Sequence, residues 1–228
     1  MNLLAGVRAV FFDAVGTLLF PEPPAAEIYA RVAARHGLAI SVHEVRARFL
    51  DAFRAEEEAD RAAGWVTSEE REVQRWRRIV ADSLAGVRDL EACFDELFHH
   101  FACPDAWRLD PQTASVLDQL RVRGLQVGIG SNYDARLLSV VDGIPSLAPL
   151  RDRVVISARV GCRKPSPGFF REVIRVAGSE PGEILFVGDD VENDFEGAKR
   201  AGLKAVLLAP RAENQKVAGV RSLRELLE

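Results

Sequence analysis

Four aspartates stand at or just beyond the ends of two short apolar segments of this sequence: Asp13, Asp189, Asp190 and Asp194. Carboxylates that lie close together raise one another's pKa unless a cation neutralises the shared negative charge. Oxygen ligands without histidine or cysteine companions suit a hard cation such as Mg²⁺. The pattern therefore predicts a magnesium site, provided that both apolar segments end at the same edge of one sheet.

A lysine and a serine stand at comparable positions in the chain. Lys164 lies in the segment GCRKPSPGFF, and Ser131 with Asn132 follows the apolar segment LQVGIG. A single aspartate or lysine at such a position is most often a turn former or a surface residue. The combination of four carboxylates with a lysine, which supplies a further positive charge, favours a functional site instead.

These residues can meet only if the chain forms a sheet that aligns the ends of its strands. Five short apolar segments predict strands that are buried on both faces: Arg8 to Phe12, Leu125 to Gly130, Arg153 to Ile156, Ile184 to Val187 and Ala205 to Leu208. Helix-length segments separate the last four strands, so the predicted fold class is α/β with a doubly wound parallel sheet. Ligands bind beyond the carboxyl ends of the strands in such a sheet, which is where the polar residues stand.

Residues that start and stop helices support this division. Gly124, Gly178 and Gly202 each follow a helical pattern at the position of a left-handed cap. Asp110 and Ser166 each precede a proline, a combination that predicts a helix start.

The interval from residue 21 to residue 105 differs, because it contains no strand-like segment. Four amphipathic stretches in it predict helices: Ala25 to His36, Val42 to Ala59, Ser68 to Leu84 and Leu90 to Phe101. Ser41 with Glu44, and Thr67 with Glu70, match the capping box that predicts a helix start. We therefore expect an α/β core built from residues 1–20 and 106–228, with an all-helical insertion at residues 21–105.

The composition excludes several classes of partner. The 228 residues are 48% apolar and carry a net charge of −4, which offers no general electrostatic footprint for nucleic acid or for an anionic membrane. A small molecule is the expected partner of a monomer or homodimer. The three cysteines form no CxxC pair, and no apolar run approaches the roughly 20 residues that span a bilayer. We expect a cytoplasmic protein.

Four stretches of the chain, taken in order, resemble the motifs of the haloacid dehalogenase superfamily of hydrolases. They are FFDAVGTLL at 11–19, Ser131-Asn132, Lys164-Pro165 and GDDVENDFEGA at 188–198. The insertion after the first motif is similar to the helical cap domain of the subfamily that includes many small-metabolite phosphatases and the haloacid dehalogenases. The resemblance implies a Rossmann-like core with an all-helical cap domain, and Mg²⁺-dependent hydrolysis of a small phosphorylated metabolite.

The resemblance also implies a role for each motif residue. Asp13 would be the nucleophile that attacks phosphorus to give an aspartyl-phosphate, which water then hydrolyses. Ser131 and the backbone N–H of Asn132 would bind the phosphoryl oxygens, and Lys164 would bridge the phosphoryl group and the nucleophile. Thr17 would steady the loop after the nucleophile. The residues implied to hold Mg²⁺ are Asp13, Asp189, Asp190, Asp194 and, through its backbone carbonyl, Val15.

Val15 departs from the phosphatase pattern. Phosphatases of the superfamily usually carry a second aspartate two residues after the nucleophile, where it acts as general acid and base, and a valine side chain cannot transfer a proton. General acid–base catalysis contributes roughly 10²- to 10⁴-fold in rate. The expected phosphatase is therefore slow, restricted to good leaving groups, or supplied with an acid from the cap.

Two alternatives follow from the same valine. One is a catalytically weak binding or regulatory protein that keeps the fold. The other is a metal-independent 2-haloacid dehalogenase, because those enzymes also lack the second aspartate. The dehalogenase is less favoured, since the acidic residues of the fourth motif would repel a carboxylate substrate in the absence of a cation.

Overall fold

The central element of the fold is a parallel sheet. The computed structural model describes residues 3–208 and 218–228, and in these ranges the strands are β1 (Ala9–Phe12), β2 (Leu19–Pro21), β3 (Trp107–Leu109), β4 (Gln126–Ser131), β5 (Val154–Ile156), β6 (Ile184–Gly188), β7 (Lys204–Leu208) and β8 (Gly219–Val220). Six of them form the sheet in the order β5-β4-β1-β6-β7-β8, with every pairing parallel. The five predicted strands are confirmed, with each boundary within one residue.

Helices cover both faces of this sheet, so the doubly wound fold class is confirmed. In chain order they are α1 (Ala25–Arg35), α2 (Val42–Ala62), α3 (Glu69–Ser83), α4 (Leu90–His100), α5 (Thr113–Val122), α6 (Arg136–Gly143), α7 (Ser157–Val160), α8 (Pro167–Ala177) and α9 (Gly197–Arg200). Side chains of β1 alternate between two cores. Val10 and Phe12 pack with α5 and α6 on one face, while Ala9 and Phe11 pack with α8 and α9 on the other.

The predicted helix boundaries of the core are confirmed with one exception. The three glycine stops have left-handed backbone conformations, and the Ser166 side chain accepts a hydrogen bond from the Gly168 N–H at the start of α8. The start predicted at Asp110 is wrong, because α5 begins only at Thr113. The Asp110 carboxylate instead accepts a hydrogen bond from the Gln112 N–H at 2.8 Å, which stabilises a turn before the helix.

Helices α1 to α4 form the helical insertion, with a hydrophobic core of its own. Ile28, Val32, Val80, Phe94 and Leu97 are buried in this core. The chain leaves the sheet along β2 and returns along β3, and the two strands pair antiparallel as a short ribbon. Three residues per strand are too few to show an alternating pattern, so the sequence did not predict the ribbon. The division into domains at residues 21 and 105 stays a prediction.

Of the two capping boxes expected in the insertion, one is wrong. The Ser41 side chain accepts a hydrogen bond from the Glu44 N–H, which confirms the start of α2. At α3 the cap is Ser68, one residue later than predicted. Thr67 is buried, and its hydroxyl donates to the Glu72 carboxylate at 2.8 Å, so it is engaged in tertiary packing rather than in capping. Throughout the described ranges, none of the helices combines the length and apolarity that crossing a membrane requires.

Candidate active site

The carboxyl ends of three neighbouring strands bring most of the expected site residues together. Strand β1 lies between β4 and β6, so Asp13 stands between Ser131 at the end of β4 and Asp189 after β6. Asp194 reaches the same edge from the π-helical segment Val191–Glu196. Carboxylate oxygens of Asp13, Asp189 and Asp194 lie within 4.8 Å of one another. We call these three residues the acidic cluster.

Lys164 joins two members of the acidic cluster. Its side chain is 2% exposed, and its Nζ donates hydrogen bonds at 2.6 Å to Asp13 Oδ1 and at 2.6 Å to Asp194 Oδ1. A third hydrogen bond, at 3.1 Å, goes to the carbonyl of Gly130. Burial alone would lower the pKa of Lys164, but the charges of Asp13 and Asp194 raise it. Lys164 therefore stays positively charged at neutral pH.

The acidic cluster holds more negative charge than Lys164 balances. Burial raises the pKa of Asp13, and the charge of Asp189 adds to the rise that Lys164 opposes. Burial, together with the charge of Asp13, raises the pKa of Asp194 to about 6. The pKa of Asp189 is also raised, by the loss of water around its carboxylate and by Asp194, although the residue as a whole remains exposed. A further cation beside the cluster would relieve this repulsion.

The chemistry of the donor set fits a hard divalent cation. All three members of the acidic cluster offer carboxylate oxygens, and the cluster includes neither an imidazole nor a thiolate. Mg²⁺ prefers such ligands and is usually held by one or two carboxylates together with the phosphate of a substrate. Asp13, Asp189 and Asp194 are therefore the side chains that could hold it.

The loop after β1 brings a glycine against the acidic cluster. Gly16 has φ +99°, and a Cβ at this position would lie 2.6 Å from Asp189 Oδ2. The Thr17 hydroxyl donates a hydrogen bond to Asp189 Oδ1 at 3.2 Å, so Thr17 positions this carboxylate as well as the loop. The sequence did not predict this role of Gly16. Its signal was a glycine in a tight turn directly after the expected nucleophile.

Replacing Gly16 by alanine is expected to damage the cation site more than the fold. The left-handed backbone costs about 1 kcal/mol for an L-residue, and the Cβ would also displace the Asp189 carboxylate. Displacing a group that orients metal ligands typically lowers metal affinity about 10- to 100-fold. We expect a loss of that size in Mg²⁺ affinity, measured by titration calorimetry.

The matched control is Gly178→Ala. Gly178 has φ +59°, and no atom lies within 4 Å of the position of its Cβ, so alanine there introduces backbone strain without a clash. Its Mg²⁺ affinity should equal that of the wild type, while both variants lose similar unfolding free energy from the backbone. Unchanged Mg²⁺ affinity in Gly16→Ala would show that Asp189 does not hold the cation.

Ser131 and Asn132 occupy different positions around the acidic cluster. The Ser131 hydroxyl is buried 3.5 Å from Asp13 Oδ1, at the long limit of a hydrogen bond. The Asn132 side chain turns away toward the backbone of Lys164. Its Oδ1 accepts from the Lys164 N–H at 2.7 Å, and its Nδ2 donates to the Lys164 carbonyl at 3.1 Å. The Asn132 amide therefore positions Lys164, a contact that the sequence did not predict.

Asp190 is the one expected metal ligand whose carboxylate lies outside the acidic cluster. That carboxylate accepts a hydrogen bond from the Asn193 N–H at 2.7 Å and caps the segment Val191–Glu196. The Asp190 N–H donates to Asp194 Oδ2 at 3.1 Å, so its backbone orients a member of the cluster. A Cβ at Gly188 would collide with the Asp194 carboxylate, which explains the glycine there. The Asp190 side chain is too short to cap the turn and join the acidic cluster at the same time.

A cavity of ≈ 370 Å³ lies between the strand ends and the helical insertion. The acidic cluster, Ser131, Lys164 and Val15 line one end of it. Much of the remaining wall is aromatic, and the rings come from both parts of the fold: Tyr29, Phe49, Phe53, Trp76, Phe101, Trp107 and Tyr133. The rings that lie on helices have the spacing of ordinary core residues, so the sequence offered no signal for this wall.

The chain, with this fold and this edge of the sheet, matches a known protein family. A sequence model of the haloacid dehalogenase-like hydrolases matches residues 7–202, which is most of the chain. The protein therefore belongs to the haloacid dehalogenase-like hydrolase family, and the resemblance of its four motifs is confirmed.

Curated relatives agree with this membership. The chain is 32% identical to the Mus musculus protein named haloacid dehalogenase-like hydrolase domain-containing protein 3, over 89% of this chain and 82% of that protein. It is 28% identical to a ribulose-1,5-bisphosphate 5-phosphatase of Halopiger xanaduensis, over 90% of this chain and 86% of that protein.

Solved structures share the architecture as well. A HAD phosphatase from Thermococcus onnurineus superposes with a TM-score of 0.68 at 27% identity, covering 96% of both chains. An L-2-haloacid dehalogenase from Xanthobacter autotrophicus superposes with a TM-score of 0.70 at 22% identity, covering 92% of this chain and 81% of that chain. At that identity the second likeness concerns the fold alone.

Proposed function

We propose that this hydrolase cleaves small phosphate monoesters in a Mg²⁺-dependent reaction with Asp13 as the nucleophile. The observation that carries the proposal is the Lys164 ammonium, which bridges Asp13 and Asp194 while Asp189 lies within 4.8 Å of both. The phosphatase names of the Halopiger and Thermococcus proteins support it. A small phosphorylated metabolite and a cytoplasmic location belong to the same proposal, as does a helical insertion that acts as a cap.

The hydrogen bonds around Asp13 suit nucleophilic attack by one oxygen. Lys164 and Ser131 both approach Oδ1, which leaves Oδ2 to attack phosphorus. The new O–P bond gives an aspartyl-phosphate as the bond from phosphorus to the ester oxygen breaks, and water later cleaves the acyl phosphate. Lys164 and Ser131 stabilise the negative charge on the phosphoryl oxygens during transfer. Mg²⁺, held by Asp13, Asp189 and Asp194, would supply further positive charge for the same group.

Protonation of the departing oxygen is the weak point of this site. Val15 stands where an acid is expected, and its side chain is 36% exposed to the cavity region. Among the described residues that line the cavity, the helical insertion supplies two acids, Glu57 and Glu72. Glu57 accepts a hydrogen bond from Asn193 at 3.0 Å, and Glu72 is ion-paired with Arg163. We therefore propose that the enzyme acts on esters whose leaving group needs little protonation, such as aryl phosphates.

The direct test is a hydrolysis assay with phenyl phosphate and glycerol phosphate, each in Mg²⁺ and in EDTA. Phosphate release from phenyl phosphate that disappears in EDTA is the expected result. Halide release from 2-haloacids that persists in EDTA would replace the proposal with the metal-independent dehalogenase.

Introducing an acid at position 15 is expected to change the preference between leaving groups. Val15→Asp should raise kcat for glycerol phosphate by about 10²-fold or more, because an alkoxide leaving group gains most from a proton donor. The gain on phenyl phosphate should be much smaller. Val15→Asn is the matched control, since it has the same shape but no acidic proton, and it should not raise either rate.

An alternative function follows from the same valine. If wild type and Val15→Asp are both inert while the wild type still binds Mg²⁺ or inorganic phosphate in calorimetry, the protein is a binding or regulatory member of its family. If the wild type instead hydrolyses glycerol phosphate about as fast as phenyl phosphate, and Val15→Asp leaves that rate unchanged or lowers it, the helical insertion supplies the acid.

A further inference from the structure

An arginine of the helical insertion lines the cavity with a hydrogen-bond donor left unused. Arg75, on α3, is 1% exposed, and its Nη1 forms an ion pair with Asp60 Oδ2. Its guanidinium also stacks over the Phe53 ring, at 4.7 Å from the centroid. Its Nη2 is buried and has no hydrogen-bond partner within the part of the chain that the structure describes. A buried donor without an acceptor is destabilising, and the cost is larger when the donor is charged.

Oxygens of the neighbouring acids Asp60 and Glu72 already accept hydrogen bonds from other groups. Asp60 Oδ1 already accepts from Arg71 at 2.6 Å, and Asp60 Oδ2 serves both Arg75 and Arg163, the latter at 3.4 Å. Glu72 is paired with Arg163 and also accepts from Thr67. Burial and the nearby charge of Arg163 lower the pKa of Arg75 to about 10, which still leaves it charged at neutral pH.

The next residue along α3 has a second unused donor. Trp76 lines the same cavity, and its Nε1 is buried without a hydrogen-bond partner among the described residues. An indole N–H can only donate, so the missing partner of each group is an acceptor. A guanidinium favours an anionic acceptor, because hydrogen bonds between charged groups are the stronger ones.

The aromatic part of the cavity wall favours a ligand with a planar apolar part. That part would lie between the acidic cluster and the two unused donors, Arg75 Nη2 and Trp76 Nε1. Six rings form a continuous series in which neighbouring centroids lie 5.4 to 6.3 Å apart: Phe53, Phe49, Tyr29, Phe101, Trp107 and Tyr133. Aromatic rings of a ligand gain from offset or edge-to-face contacts with such a wall.

We propose that the substrate is an aryl phosphate monoester with a second anionic group, and that this group accepts hydrogen bonds from Arg75 Nη2 and Trp76 Nε1. The inference rests on the proposed phosphatase function and names the substrate class of that same site. An aryloxide leaving group also agrees with Val15, because it needs little protonation. Arg75 is then a specificity-determining residue, because it would contact the second anionic group of the substrate.

The test compares two substrates that differ in one charge. In 4-carboxyphenyl phosphate the second group is anionic, and in 4-carbamoylphenyl phosphate it is a neutral group of nearly the same shape. The carbamoyl group withdraws electrons more strongly than the carboxylate, so the carbamoyl ester has the better leaving group. A higher kcat/KM for the carboxylate ester therefore reflects binding and not the reactivity of the leaving group. The wild type should prefer the carboxylate by at least about tenfold in kcat/KM, with the difference in KM, since a hydrogen bond to a charged group contributes about 1.5–3 kcal/mol.

Two variants of Arg75 assign the preference to this residue. Arg75→Met removes the donor, while Asp60 keeps Arg71 and Arg163 as partners. Arg75→Lys keeps a charge for Asp60 but lacks the planar fork that serves two acceptors at once. Both should lose the preference for the carboxylate, which is measured within each variant as the ratio of kcat/KM for the two substrates. The control is Arg78→Met, because Arg78 is exposed on the same helix and its ion pair among the described residues is a long one, at 3.4 Å to Glu56.

The outcomes separate this inference from the proposed function. Equal kcat/KM for the two substrates, or a preference that survives in Arg75→Lys, overturns the inference while hydrolysis of phenyl phosphate upholds the phosphatase. If the wild type hydrolyses none of the three esters, the phosphatase proposal fails. The inference is then tested by calorimetry, which compares the affinity of the protein for 4-hydroxybenzoate with its affinity for 4-hydroxybenzamide. Tighter binding of the benzoate that is lost in Arg75→Lys supports the anion site, and equal binding rejects it.

Discussion

Asp13→Asn is expected to lower kcat for phenyl phosphate by at least about 10⁴-fold, as loss of a covalent nucleophile does in other hydrolases. An amide oxygen is a poor nucleophile, and no other described side chain takes the central position between β4 and β6. The amide can still accept the hydrogen bond that Lys164 now donates to Asp13 Oδ1, so the fold should survive. Circular dichroism and the unfolding midpoint check that it does.

A second measurement tests whether Asp13 carries the covalent intermediate. Wild-type protein that is quenched in acid during turnover of phenyl phosphate, radiolabelled at phosphorus, should carry covalent label. Asp13→Asn should carry none. The control is Asp118→Asn, which removes an exposed carboxylate on α5 that forms an ion pair with Arg121. Covalent label on Asp13→Asn would place the nucleophile at another residue.

Lys164→Met is expected to have the second largest effect, on both stability and activity. The substitution leaves the buried carboxylates of Asp13 and Asp194 without the ammonium that joins them at 2.6 Å. Breaking a buried ion pair from one side typically costs about 3–5 kcal/mol of unfolding free energy. Loss of a charge that stabilises the transferring phosphoryl group should lower kcat by about 10²- to 10³-fold.

The stability effect of Lys164→Met should depend on pH. Folding raises the pKa of Asp194 from its ordinary value to about 6, and raises that of Asp13, so the folded state binds these protons more tightly than the unfolded state. Such groups stabilise the fold at low pH and lose that contribution as the pH rises through the folded pKa. Without Lys164 both pKa values rise further. The variant should therefore approach wild-type stability near pH 4 and fall furthest behind it above pH 7.

Denaturant unfolding in EDTA across this pH range provides the measurement. Lys199→Met is the control, because Lys199 is exposed on α9 and should show no pH-dependent difference from the wild type. A stability difference that stays constant from acid to neutral pH would show that Lys164 does not act through the two carboxylates. Added Mg²⁺ should narrow the gap at neutral pH, since it supplies positive charge to the same oxygens.

The sheet and the residues at its carboxyl edge were predictable from local patterns in the sequence. Near-continuous apolar segments such as Ile184–Gly188 have no solvent face, so only a strand buried on both sides suits them. Parallel strands align their carboxyl ends, and that geometry brings Asp13 and Asp189 together although 175 residues separate them in the chain. The long amphipathic helices of the insertion were equally predictable from their 3.6-residue period.

The different roles of the side chains at that edge depend on tertiary contacts that local patterns do not show. Asp190 and Asp194 have the same chemistry, and it is the π-helical turn that directs one to a cap and the other to Lys164. Asn132 likewise holds the backbone of Lys164 rather than facing the acidic cluster. Local patterns describe the backbone period and cannot specify which of several competing hydrogen bonds a short side chain makes.

The cavity wall and the unused donor of Arg75 were also beyond the sequence. Aromatic residues at helical spacing give the same sequence pattern whether they face a core or a cavity. The apolar period identifies the buried face of the helix, but not what that face lies against. The role proposed for Arg75 depends on ion pairs that form where α2, α3 and the loop before Lys164 meet. Those contacts join residues far apart in the chain through packing of whole helices, and no local pattern encodes that packing.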